Sequence, residues 1–247
     1  LSNNGETLEL VDQFGNLVDE VRYADEGDWS VRAAGPDDRG HTGWIWQAGH
    51  DGGNKSLELI NRHQTNAAGQ NWTSSDPDGG TPGAINSAAR DNIAPLIQDV
   101  LHSPLLPTSA DSVTITALLN DESAAGVTAT LKWRVDGEPD FRSAAMFDDG
   151  LHGDNQANDG VFGATLAAQP DRTVIEFFVQ AADAASLTRT WPAPTAAGEQ
   201  QTNALYQVLD GIPVLEPGDP PIYHQIMTGI ERQEFTSINR LSDAQFN

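Results

Sequence analysis

Short runs of alternating apolar and polar residues, cut by turn-forming stretches, constrain this chain more than any other feature. Val113, Ile115, Ala117 and Leu119 fall on one side of a run with period two. Val127, Ala129, Leu131, Trp133 and Val135 do the same, as do Ile175, Phe177, Val179 and Ala181. A period of two is the signature of a strand with one buried face, because successive side chains point to opposite sides. Earlier, Thr7–Val11 and Leu17–Tyr23 alternate around Asp12-Gln13-Phe14-Gly15-Asn16, a hairpin pattern. Ser56 to Ile60 gives another short alternating strand, and Trp44-Ile45-Trp46 reads as one too. Gly and Pro number 23 and 14 in 247 residues, which favours frequent turns over long helices. The predicted class is all-β, with two immunoglobulin-like β-sandwiches and a short helical C-terminal tail.

Composition shifts divide the chain. Residues 87–95 are small and polar and end at Pro95, which reads as a linker. Residues 196–221 lose the apolar pattern and carry Pro213, Pro217, Pro220 and Pro221, a second and extended linker. Beyond it Thr228 stands three residues before Glu231, a capping-box spacing that predicts a helix through Phe235. Ser242 and Gln245 repeat that spacing close to Asn247. With no Met or leader at Leu1, both ends read as cuts from a longer polypeptide. The expected units are 1–90, 93–210 and 219–247.

Charge and missing residue types exclude several functions. The formal net charge is −23, with 36 acidic against 13 basic residues. Such a chain repels phosphate backbones and anionic bilayers and favours cations. It has no cysteine, so thiolate chemistry and disulfides are excluded. No run of 18 apolar residues is present, so no helical membrane span is expected. The sequence holds no Gly-x-Ser-x-Gly elbow, His-Glu-x-x-His pair, phosphate-cradling Gly-x-x-x-x-Gly-Lys or dinucleotide fingerprint. The six histidines are scattered without the spacing of a zinc pair.

Two constellations remain as candidate sites. Between Asp148 and Gly160 the chain places Asp148, Asp149, Asp154 and Asp159 in a Gly-punctuated loop. Two readings stand: a calcium site, since Ca²⁺ takes six to eight hard oxygens, or turn chemistry with Asp side chains accepting backbone N–H groups. The spacing is not that of an EF-hand. The second constellation is aromatic. Trp29, Trp44, Trp46 and Trp72 crowd the first third, and Trp44 and Trp46 share one side of a strand. That side is either core or a platform for sugar rings. Trp133, in phase with its strand's apolar face, is read as a core anchor.

Ordered segments also carry family resemblances. Asn4-Gly5-Glu6-Thr7-Leu8-Glu9-Leu10, Gly15 to Val21, Lys55 to Ile60, and Asn71-Trp72 followed by Gly80-Thr81-Pro82-Gly83-Ala84-Ile85-Asn86 resemble the later part of a bacterial lamin-tail domain. The opening strands of such domains have no counterpart before these segments. His102-Ser103-Pro104, Phe147 to Gly150, Asp159 to Phe162 and Thr190-Trp191-Pro192 resemble an immunoglobulin-like module found after it in secreted multidomain proteins. Pro221-Ile222-Tyr223, Met227-Thr228 and the helical stretch from Glu231 resemble the start of a domain of the spore-coat CotH kinase family, without that family's catalytic machinery.

These resemblances imply an exported parent, extracellular or at the cell surface, and no reaction for these residues. The expected function is a non-catalytic module that binds or presents neighbouring domains, with adjacent domains, glycans or surface proteins as partners. The rival expectations are a carbohydrate-binding accessory module using Trp44 and Trp46, and the inactive front of a secreted kinase-like protein.

Overall fold

The computed structural model describes residues 2, 5–211 and 223–244. The Pro-rich stretch from Pro213 to Pro221, Ile222 and the Gln245 of the second capping pattern lie outside the described residues. The regular secondary structure of the described residues is almost entirely β, as the alternation predicts.

The first part is built from three two-stranded antiparallel sheets. β1 (Glu6–Val11) pairs with β2 (Leu17–Tyr23), β3 (Val31–Asp38) with β4 (His41–Gln47), and β5 (Leu57–Leu59) with β6 (Trp72–Ser74). The β1–β2 turn closes as its residues dictate. Asp12 Oδ1 accepts the N–H groups of Phe14 at 2.8 Å and Asn16 at 2.9 Å. Strand β3 has no alternation to announce it. It forms because β4 pairs with it, and its register shifts between Ala34 and Asp37, around Gly35 and Pro36. Every residue of β1 is exposed, so this hairpin is held by its ladder and turn rather than by a core.

The second part is a two-layer sandwich. One layer has three strands in the order β11 (Val161–Leu166), β8 (Val113–Asn120), β7 (Leu96–Ser103). The other has five: β10 (Arg142–Met146), β9 (Thr128–Val135) and β12 (Val174–Ala182) in order, with β13 (Thr188–Trp191) and β14 (Ala204–Gln207). β13 and β14 share one edge of β12: Ala182 to Val179 face β13, and Phe177 to Val174 face β14. The inner faces interdigitate as predicted. Val113, Ile115, Ala117 and Leu119 meet Ala129, Leu131, Ile175, Phe177, Val179 and Ala181 in one buried cluster, with Trp133 packed against it. Burying one such aliphatic side chain contributes about 1.5–3 kcal/mol, so this cluster supplies most of the apolar stabilisation.

Buried polar groups are paired where the strands meet. Arg134 and Glu176, directly opposite on β9 and β12, form a two-pronged pair, Nε to Oε1 at 3.1 Å and Nη2 to Oε2 at 2.9 Å. Several buried polar atoms among the described residues lack a partner, among them the hydroxyl of Tyr206, a residue only 1% exposed. The helix α1 (Gly229–Ser237) carries the predicted capping box. Thr228 Oγ1 accepts the Glu231 N–H at 3.2 Å, and Glu231 Oε2 accepts the Thr228 N–H at 2.6 Å. Its Glu234 faces the buried ring of His41, 3.1 Å from Nδ1.

Candidate functional site

The acidic loop from 148 to 160 crosses between the two layers, leaving β10 in one sheet and entering β11 in the other. Each of the four carboxylates is engaged by the loop's own backbone. Asp154, 2% exposed, sits at the centre and accepts the N–H groups of Gly150 at 2.7 Å and His152 at 3.2 Å. Asp148 accepts from Asp159 at 3.2 Å and Gly160 at 3.0 Å, which closes the far end. Asp149 accepts from Leu151 at 2.9 Å and faces His152 Nδ1 at 2.9 Å. Asp159 accepts from Val161 at 3.0 Å, where β11 begins.

The electrostatics follow from these bonds. Burial pushes the Asp154 carboxyl up, but backbone donors, Gly150 first, outweigh it and hold the group below the ordinary value. His152 lowers Asp149. Gly153 completes the loop in the left-handed region at φ +86, and a Cβ there would stand 2.3 Å from Thr114 Cγ2. Among the described residues, no three or more Asp, Glu or His side chains converge in a way that could hold a metal ion. The arrangement fits carboxylates that replace missing backbone partners in a long crossing.

Trp44 and Trp46 sit side by side on β4, ring centroids 5.0 Å apart in an edge-to-face arrangement. The Arg32 guanidinium from β3 lies 4.2 Å from the Trp44 centroid and 5.2 Å from that of Trp46. Arg32 also bonds Thr202 of the sandwich through its Nη1. Both indoles are half-buried, and each contributes to a small hollow: Trp44 beside Asp243 and Ala244, Trp46 beside Trp191 and Pro192. The two tryptophans thus belong to a cation–π stack that ties the β3–β4 hairpin to the loop after β13.

Sequence patterning does not reveal the most elaborate polar arrangement, which lies between the first part and the sandwich. Gln70 is 8% exposed; its Oε1 accepts the Ile97 N–H at 2.8 Å, and its Nε2 donates to Ile97 C=O at 2.8 Å and to Asp28 Oδ2 at 2.8 Å. Nearby, Asn61 Nδ2 donates to Glu122 Oε1 at 2.5 Å, and Asn92 Nδ2 to Asp183 Oδ2 at 2.7 Å. Arg189 Nε donates to Pro95 C=O at 3.0 Å. Residues 87–95 are therefore pinned, with Ile93 buried. Single Asn, Gln and Arg residues carry no periodic signal, so only their spatial partners identify them.

Beside these contacts lies a cleft of about 630 Å³, lined by Trp29, Trp72, Asp28 and Gln47 on one side and Thr188 to Thr190 on the other. Trp29 and Trp72 are 5.9 Å apart at an interplanar angle of 33°. Gly69 makes this possible, because a Cβ there would lie 2.8 Å from Trp29 Cδ1.

Two packed antiparallel sheets with this core define an immunoglobulin-like β-sandwich module. A family model described as the conditioned medium factor 2nd Ig-like domain matches residues 107–173, roughly a quarter of the chain, from just before β8 to the start of β12. None of the curated proteins matches the chain. Such frameworks serve mostly as binding or structural modules, and the site rather than the fold chooses the ligand. Among the described residues no helix is long and apolar enough to cross a membrane.

Proposed function

We propose that this chain is a non-catalytic structural module of an exported or cell-surface protein, which fixes a β-hairpin segment against an immunoglobulin-like sandwich and presents neighbouring domains. The observation that carries this reading is the set of buried polar bonds joining the two parts, above all Gln70 to Ile97. Buried bonds of this kind hold register and orientation, whereas parts that move independently meet through exposed, sparse contacts. The resemblances of residues 1–86 to the later part of a lamin-tail domain and of 219–247 to the start of a CotH-like domain support an exported, multidomain parent. In this reading the Asp148–Gly160 loop performs turn chemistry, and calcium has no part in it.

The test is rotational diffusion by NMR relaxation, combined with limited proteolysis. The two parts are expected to tumble with one correlation time, and residues 87–95 to resist cleavage. Separate correlation times, or rapid cutting there that releases a stable sandwich, would overturn the proposal.

A further inference from the structure

The geometry points to a second role, independent of the scaffold reading: we propose that the cleft between the two parts binds a neutral pyranose unit of a glycan. The Trp29–Trp72 pair lines it, and both indoles are half-buried. An indole face is electron-rich, and it attracts the weakly positive C–H groups on one face of a sugar ring. Exposed Asp28, Gln47, Thr73 and Thr188 stand around the cleft and offer the hydroxyl, amide and carboxylate groups that pair with sugar hydroxyls. The volume, about 630 Å³, falls in the range of small-ligand sites.

Charge selects neutral over acidic sugars. Arg189 is the cation lining the cleft, and it is already committed. Its Nε and Nη2 donate to the carbonyls of Pro95 and Ala94 at 3.0 and 3.4 Å, and its charge is opposed by Asp28. Among the described residues lining the cleft no other cation stands ready for an anion, and the chain's net charge of −23 repels one. The two indoles are also pre-organised. Trp72 Nε1 donates to Asn66 C=O at 2.8 Å, and Gly69 lies against the Trp29 ring. Rings held in place lose little entropy when a ligand arrives. On Trp44 and Trp46, by contrast, the Arg32 guanidinium already stacks.

The experiment titrates the whole chain with neutral hexasaccharides (β-1,4-glucan, xylan, mannan, chitin and α-1,4-glucan fragments), read by calorimetry and tryptophan fluorescence. At least one is expected to saturate below about 10 mM with a shift in emission. Trp72→Ala should weaken that binding about tenfold and Gln47→Ala about threefold, while Trp44→Phe, outside the cleft, leaves it unchanged. Gln47 is an exposed strand-end residue, so its variant reports on the cleft even where Trp72→Ala does not fold. Failure of all five sugars to saturate would overturn the proposal. So would native affinity in Gln47→Ala.

Discussion

The side-chain amide of Gln70 pairs with the backbone of Ile97 as a neighbouring strand would, accepting its N–H and donating to its carbonyl, both at 2.8 Å. Ile97 lies on β7, the outer strand of the three-stranded layer. An unpaired edge is a template for adding another chain. One glutamine from the first part closes that edge at a buried point, and its second N–H reaches Asp28.

Gln70→Ala is therefore expected to destabilise the chain by about 2–6 kcal/mol, because it strands two buried backbone groups at about 1–3 kcal/mol each. Urea denaturation measures this. Amide exchange at Ile97 should accelerate more than at Ile115 in the core. A change below about 0.5 kcal/mol would show that water replaces the glutamine without loss.

Glu122 behaves oppositely to the other shifted carboxylates. Burial raises its pKa, and neighbouring Asp121 raises it further, while Asp121 Oδ1 and Glu122 Oε2 are both buried without partners. A raised folded-state value contributes stability below the unfolded value of about 4.3 and loses it as pH rises through the folded one. Glu122→Gln keeps the Oε1 that accepts from Asn61 and brings an N–H toward Asp121. It should stabilise the chain by about 1 kcal/mol at pH 7, and the gain should shrink toward pH 4. A gain independent of pH would refute the assignment.

Asp154 supplies the acid limb. Its folded-state value is lowered, as are those of Asp149 and Asp183, so their contribution is present above the unfolded carboxylate range of about 4 and disappears as pH falls below it. Asp154→Asn leaves one of the Gly150 and His152 N–H groups without an acceptor, a cost of about 1–3 kcal/mol. Thermal unfolding followed from pH 7 to pH 3 should show the variant's deficit narrowing with acidification. A constant deficit would mean the carboxylate's charge is irrelevant.

Calcium at about 1 mM is expected to leave the melting temperature unchanged, since the four loop carboxylates already serve backbone donors. A ligand present at a hundred times its Kd would add about 2.7 kcal/mol, easily seen by calorimetry. A rise of several degrees would restore the metal reading for Asp148, Asp149, Asp154 and Asp159.

Tyr206 tests the core. Burial pushes its phenol up to about 12, and the hydroxyl has no partner. Tyr206→Phe should be neutral or stabilising by about 1 kcal/mol, because a desolvated, unpaired hydroxyl costs that much or more. A loss above 1 kcal/mol would reveal a bond to buried water.

Period-two alternation by itself determined three of the eight sandwich strands, β8, β9 and β12, and their inward faces, because burial of one sheet face leaves a mark at every second residue. The turn at Asp12 to Asn16 and the capping box at Thr228 were equally legible, since each rests on bonds within a few residues. Only the tertiary structure decided the rest. β3 exists because β4 pairs with it, Arg32 occupies the tryptophans that alternation had left open to either core or ligand, and the loop carboxylates face backbone amides. The cleft at Trp29 and Trp72, and the Gln70 contact that closes β7, join residues 27 to over 100 positions apart. Their partners are set by how sheets stack, and no local pattern encodes that.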